Sequence, residues 1–210
     1  MTRNIVVIGA NGGIGRQTVE LALQYGYLVT AIVRNPDNLN LTHDNLTVVK
    51  GDIMNPETFK ERLKNADAVI SAVGKSSFKV TDLYSLGNQR LLSVMPQDKH
   101  IFFISASGLE VNPTHSFIVR FATRYILQKL LKNMYADLER MEAMIKSTDL
   151  NWTIMRPPRL IDKPVTGKYR FSIDRALNNG LTISRADLAH YMLNNISNEA
   201  IYRKTVEVAY

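Results

Sequence analysis

The sequence predicts an α/β protein, a single Rossmann-type domain on a doubly wound parallel sheet. Apolar runs of strand length alternate with helix-period stretches along most of the 210 residues. A glycine-rich turn, Gly9-Ala-Asn-Gly-Gly-Ile-Gly15, comes directly after the first apolar run. No repeat, low-complexity tract or linker divides the chain, so residues 1–210 read as one domain.

Asn4–Ile8 is rich in β-branched residues and reads as the first strand. Ile14, Thr18, Leu21, Ala22 and Tyr25 then recur on one helical face, and Gly26 ends that helix. Leu28–Val33 and Leu46–Lys50 are the second and third strands. Pro56 suits the first turn of a helix reaching about Lys64. A fourth strand, Ala68–Ala72, precedes a helix from about Asp82 to Met95, which Pro96 closes. Ile101–Ser105 is almost wholly apolar, as a strand covered on both faces requires. Trp152–Met155 is the sixth. Repeated strand–helix–strand units imply parallel strands with helices on both sides.

The helical region 116–147 interrupts this rhythm. In its second half Leu131, Met134, Leu138, Met141 and Ile145 form one apolar stripe. Its first half mixes Arg120, Arg124 and Lys129 with Phe117, Phe121, Tyr125 and Leu127. This half reads either as a membrane-surface or partner-binding helix, or as a mouth-covering or core helix with snorkelling basic residues. The second reading is the expectation. Beyond strand six come Pro157–Pro158 and Pro164, then Ser184-Arg-Ala-Asp187, a capping-box pattern with aspartate in the glutamate place. Leu188, Met192 and Ile196 continue that helix, and Thr205–Val208 is a last strand.

Composition narrows the function classes. Hydrophobic residues make up 45% and charged residues 21% of the chain, ordinary for a globular protein. The absence of cysteine removes disulfides, thiolate metal sites and thiol nucleophiles. The apolar opening run is too short for a signal h-region, and no run reaches the length of a membrane span; a cytoplasmic protein is expected. The net charge of +7 favours anionic ligands, but it sits mainly in mixed-sign helices and accompanies no nucleic-acid motif. His43, His100, His115 and His190 lack metal-ligand spacing, and no Gly-x-Ser-x-Gly elbow occurs.

The glycine turn lies between a strand and a helix, the context a dinucleotide fingerprint requires. Gly9 allows a tight exit from the strand, Gly12 lets the backbone approach a pyrophosphate, and Gly15 lets the helix pack closely. Amides of the turn formed by Asn11, Gly12, Gly13 and Ile14 face the negative charge. Sites that prefer NAD carry an acidic residue at the end of strand two; here Arg34 stands there, suited to a 2′-phosphate. The expected cofactor is therefore NADP(H) in preference to NAD(H), with Arg16 assisting. A solvated surface arginine is the plainer account of Arg34. Asp52 and Ile53, ending strand three, suit adenine, or Asp52 caps the next helix. Ser71, Ala72, Val73 and Gly74, ending strand four, allow close backbone approach.

With these residues in place, the sequence resembles the atypical short-chain dehydrogenase/reductase superfamily. Within it the likeness is to NmrA-like NAD(P)H-binding proteins, nearest to the biliverdin reductase B/flavin reductase group. Beside the glycine turn, Val33-Arg34, Gly51-Asp52 and Ser105, the likeness is carried by Met155-Arg-Pro-Pro-Arg159, Pro164-Val-Thr-Gly167 and Asp187-Leu-Ala-His190. It implies that Pro157, Pro158 and Leu160 line the nicotinamide side, that Ser105 stands beside nicotinamide and substrate, and that residues from about 152 to 210 supply the substrate side. Taken alone, Ser105 could equally finish its strand by bonding local backbone. Arg159 replaces the histidine of the biliverdin reductase pattern. A guanidinium cannot donate a proton near neutral pH, but it can bind an anion. The segment between Ser105 and Trp152 is an insertion that would reshape the mouth.

Ordinary short-chain dehydrogenases use a Tyr-x-x-x-Lys pair. Tyr125 and Lys129 have that spacing but fall about two and a half turns before the family's register, which lands on Met134 and Leu138. The expected function is NADPH-dependent hydride transfer to a flavin, quinone or related conjugated small molecule. Ser105 and Arg159 are the candidate catalytic residues. The alternative is an NmrA-like redox sensor that binds NADP(H) without turnover. The oligomeric state is not legible.

Overall fold

The computed structural model describes residues 2–74, 80–110 and 116–210. His115, one of the scattered histidines, lies outside them. The first three strands fall where the apolar runs place them: β1 (Asn4–Ile8), β2 (Leu28–Val33) and β3 (Leu46–Lys50). β4 (Ala68–Ser71), β5 (His100–Ile104) and β6 (Asn151–Met155) follow within a residue of expectation at each end. The chain then adds β7 (Arg159–Ile161), β8 (Arg170–Ile173) and β9 (Thr182–Ser184), and the expected last strand is β10 (Lys204–Ala209).

Eight strands form one sheet in the order β3-β2-β1-β4-β5-β6-β10-β8. Every pair in it is parallel except β10 with β8, which is antiparallel. The first six strands follow the doubly wound dinucleotide-binding order, and the expected all-parallel sheet gains one antiparallel edge. A separate short pair joins β7 to β9.

Strand β1 shows why both faces are covered. Ile5 and Val7 point into the core under α1 (Gly13–Gln24) and α7 (Arg185–Asn194), whereas Val6 and Ile8 point into the opposite core. That second core is closed by α2 (Lys60–Leu63), α3 (Leu83–Leu92) and α6 (Lys132–Lys146). The helix expected from Pro56 is split: a 3-10 turn at Pro56–Thr58 precedes the four residues of α2.

Helix α4 (Phe117–Ala122), a π turn (Thr123–Leu127) and α5 (Gln128–Leu130) lead into α6. None of residues 117–130 is buried, which corrects the expectation of a core helix there. The sheet face it would cover is already occupied by α3 and α6.

A buried histidine ties β5 to the C-terminal region. His100 lies between the rings of Phe102 and Tyr202, at 4.2 and 4.4 Å. Its Nδ1 lies 2.9 Å from the Ile196 carbonyl, which can only accept. Its Nε2 lies 2.8 Å from the Thr153 hydroxyl. Burial pushes its pKa down to about 4 from 6.5, with the Ile196 carbonyl opposing the shift. Below pH 6.5 the unfolded chain therefore takes a proton that the folded chain refuses until about pH 4. Stability should fall by roughly 2–3 kcal/mol between pH 7 and 4.5 from this group alone. Urea unfolding at the two pH values checks it: His100→Gln should lose markedly less on acidification than the native protein, and parallel losses would refute the assignment.

Candidate functional site

A cleft of about 850 Å³ opens at the carboxyl ends of β1, β2, β4 and β5, at the point where strand order reverses between β1 and β4. Its floor is the glycine turn. Gly9 has φ +78°, and a Cβ there would lie 2.8 Å from the Ala72 carbonyl oxygen. Its amide donates to the Ile32 carbonyl at 3.1 Å, and Gly12 N–H donates back to the Gly9 carbonyl at 2.9 Å. At Gly15 a Cβ would collide with that carbonyl, so α1 can press against the strand only with glycine there. The N-cap of α1 is Gly12, which has no side chain to accept from the first amides. Those amides are available to an anion.

Arg34 lies at the end of β2, exposed on the cleft rim, and among the described residues it has no hydrogen-bond or ion-pair partner. Asn11 joins the glycine turn to this rim by donating to the Asn35 carbonyl at 3.4 Å. Arg16, by contrast, is held by Glu20 at 2.8 Å and is not among the lining residues. Asp52 and Ile53 line the cleft; the Asp52 carboxylate accepts from Met54 N–H at 2.9 Å. The next 3-10 turn receives no side-chain cap, so the capping alternative for Asp52 is not realised.

Ala72, Val73 and Gly74 line the cleft, while Ser71 is buried and donates to Asn88 Oδ1 at 2.6 Å. Leu83 and Tyr84, at the start of α3, form part of the wall. Their helix end is fixed by a carboxylate from another helix. Buried Asp137 of α6 accepts from the amides of Tyr84 and Ser85, at 2.9 and 3.3 Å, and from the Ser85 hydroxyl. Such a carboxylate satisfies orphan amides and opposes the positive end of the helix dipole.

At the far end of the cleft stands Ser105, just past β5, with Ile104 and Ala106. Its hydroxyl donates to Glu142 Oε1 at 2.7 Å. Arg156 grips the same carboxylate with two bonds, Nε to Oε1 at 2.9 Å and a terminal nitrogen to Oε2 at 2.6 Å. Lys146 adds a third cationic contact at 3.0 Å. Burial alone would raise the pKa of Glu142, but the bonds from Arg156 and Ser105 and the guanidinium charge outweigh it, and the net direction is down. Glu142 is therefore ionised at neutral pH, and the Ser105 proton is engaged by it. Toward the cleft, Ser105 offers an acceptor.

Met134 and Leu138, on which the expected register of a tyrosine–lysine pair falls, both line the cleft. Tyr125 and Lys129 are exposed on the helix preceding α6, with the ammonium 5.9 Å from the phenol ring centre. Among the described residues no lysine lines the cleft.

The later sequence motifs form one unit. Ser184 caps α7 through Asp187 N–H at 2.9 Å, but the expected return bond of a capping box is absent. The Asp187 carboxylate instead accepts from the amides of Thr166 and Gly167, from the Thr166 hydroxyl and from the Tyr210 hydroxyl, all at 2.7–2.8 Å. Tyr210 Oη takes the Ser184 amide, at 3.2 Å. Pro164-Val-Thr-Gly167 and Asp187-Leu-Ala-His190 are thus two halves of one clasp holding the segment after β7.

A profile of NAD(P)H-binding proteins matches residues 9–199. The chain belongs to this NAD(P)H-binding family. An uncharacterized chloroplastic protein of Arabidopsis thaliana is 26% identical over 99% of this chain and 76% of its own length. Among solved structures, a protein assigned as an NADH-flavin reductase from Streptococcus pneumoniae superposes with a TM-score of 0.80 at 23% identity, covering 99% of each chain. A short-chain dehydrogenase/reductase from Veillonella parvula in complex with NADP gives 0.76 at 18% identity, over 100% of this chain and 95% of that one. These structural likenesses concern the fold.

Of the site residues expected from sequence, Gly9, Asn11, Gly12, Gly13, Ile14, Arg34, Asp52, Ile53, Ala72, Val73, Gly74, Ser105, Pro157, Pro158 and Leu160 all line the one cleft. Gly15 and Ser71 lie beneath it. Arg159 is exposed on β7 and is not among the lining residues. Besides Arg34, the cleft is lined by Arg185, the first residue of α7. Its side chain packs over Gly13, where a Cβ would lie 2.6 Å from Nε, and it pairs with Asp162 at 2.7 Å.

Proposed function

We propose that this NAD(P)H-binding protein is an NADPH-dependent reductase that passes hydride to a flavin, a quinone or a related conjugated small molecule. The observation carrying this reading is the continuity of one cleft from the glycine turn to Ser105, with apolar Met134 and Leu138 on its wall. The nicotinamide cofactor, when bound, supplies the hydride. The fit is supported by the glycine cradle, the uncapped start of α1 and the two arginines on the rim.

In this reading the amides of Asn11, Gly13 and Ile14 hold the diphosphate, Gly12 N–H being engaged by the Gly9 carbonyl, and Arg185 closes over it from Gly13. Arg34 pairs with the 2′-phosphate, which favours NADP(H) over NAD(H). Asp52 and Ile53 hold the adenine end, and Ala72–Gly74 give close backbone approach. Pro157, Pro158 and Leu160 line the nicotinamide end, so residues from about 152 onward supply the acceptor's side. Ser105, its proton held by Glu142, accepts from an amide or ring N–H and so orients the reacting end. Met134 and Leu138 give flat rings an apolar wall, which favours face-to-face approach. A conjugated acceptor delocalises the incoming electron pair and takes its remaining proton from water, so no tyrosine–lysine pair is required. Arg159, exposed on β7 next to Leu160 of the cleft wall, would meet an anionic substituent of the acceptor only where that substituent projects beyond the cleft. The histidine of the biliverdin reductase pattern is missing there, which favours flavin or quinone over biliverdin.

The reading is tested by following NADPH absorbance with FMN, a quinone and a dye acceptor in turn. Oxidation with at least one is the expected result. Tight NADPH binding without turnover by any acceptor would instead mark a redox sensor.

A further inference from the structure

We propose that residues 116–132 form a membrane-docking helix that seats the protein on an anionic lipid surface beside the Ser105 end of the cleft. From Val111 to Ala136 the sequence has no acidic residue, while Arg120, Arg124, Lys129 and Lys132 are all basic. The structure leaves the apolar side chains of this stretch in solvent: Phe117 and Ile118 are each 78% exposed, Ile126 62% and Leu130 57%. Phe121 and Tyr125 are half exposed. A contiguous apolar surface of this kind on one helix marks an interaction site.

Its details fit a lipid interface. Phe117, Phe121 and Tyr125 form a ladder one turn apart, with ring centres 6.4 and 4.7 Å from each other in succession. Arg124 and Lys129 both lie near the Tyr125 ring, at 5.8 and 5.9 Å. Aromatic and aliphatic groups flanked by long cationic side chains let a helix lie in the headgroup region, rings down and charges at phosphate level. Among the described residues no helix is long and apolar enough to cross a membrane, so the helix lies on the surface. A second copy of the chain is a poor occupant, because the two faces would bring eight cations together without a counter-charge.

The helix is anchored next to the site. Gln128 donates to the carbonyls of Gly108 and Leu109, at 3.3 and 3.0 Å, on the turn just after Ser105 and Ala106. Met134, four residues beyond Leu130, already lines the cleft. Docking would therefore place the mouth of the cleft at the lipid interface. This inference does not depend on the reductase reading.

Co-sedimentation of the full chain with vesicles tests it. Phosphatidylcholine vesicles containing phosphatidylglycerol should pull the protein down at low salt, and added salt should weaken the binding. Neutral phosphatidylcholine vesicles should bind it far less. Phe121→Glu with Ile126→Glu should weaken the binding at least about tenfold, while NADPH affinity, as a check on folding, stays unchanged. Absence of binding to the anionic vesicles overturns the proposal. So does equal binding to both vesicle types, or a dimer in light scattering that the same substitutions dissolve.

Discussion

Glu142→Gln should destabilise the protein by about 3 kcal/mol or more, the usual cost of removing one partner from a buried ion pair. The reason lies in what remains. The Arg156 side chain is 13% exposed and would keep its charge. Its other partner, Glu110, is largely in solvent and takes only one terminal nitrogen, at 2.9 Å. Lys146 is a different case: its side chain is 44% exposed, so Lys146→Ala should cost no more than about 1 kcal/mol. Replacing both partners, Glu142→Leu with Arg156→Met, should recover most of the loss, because the desolvation of both charges is removed together. Denaturant unfolding of the three variants measures this directly. An unchanged midpoint for Glu142→Gln would show that the carboxylate does not hold Arg156.

The same experiment has a pH signature. Because the pKa of Glu142 is lowered in the folded protein, its contribution is complete at neutral pH and is lost as pH falls below the ordinary carboxylate range. The penalty of Glu142→Gln should shrink on acidification. The His100 contribution disappears over the window just above, between 6.5 and about 4, so the double variant separates the two.

What could be read from the sequence follows from how local each signal is. Strands β1 to β6 are apolar runs bounded by glycine, proline or polar residues, and the glycine turn is a string of adjacent positions whose meaning needs only a strand before and a helix after. Strands β7, β8 and β9 escaped because they have three or four residues each and are largely exposed or on an edge. They carry no alternation long enough to register. The motif around Asp187 looked local and was not. Aspartate is a methylene shorter than the glutamate of a capping box, and its carboxylate turns to a segment twenty residues earlier. Arg185 had no sequence signal at all, since its place over Gly13 exists only once α7 packs against α1. The apolar residues before α6 predict a core helix by composition, but the sheet face is already covered by α3 and α6 and the segment stays in solvent.

The two rim arginines should fail in different ways. Arg34→Glu should weaken NADPH by roughly 100-fold or more while changing NADH only a few-fold, since a charge-assisted bond is worth about 1.5–3 kcal/mol and reversal adds repulsion. Arg185→Ala should weaken both nucleotides alike, by about tenfold, because the diphosphate over Gly13 is common to both. Calorimetry with NADPH, NADH and 2′,5′-ADP separates these roles: the last carries the 2′-phosphate without the diphosphate and should respond strongly to Arg34→Glu and little to Arg185→Ala. Equal losses of NADPH and NADH in Arg34→Glu would move Arg34 off the 2′-phosphate. Undiminished binding of both nucleotides in Arg185→Ala would leave Arg185 to its bridge with Asp162, and the amides at the start of α1 would hold the diphosphate unaided.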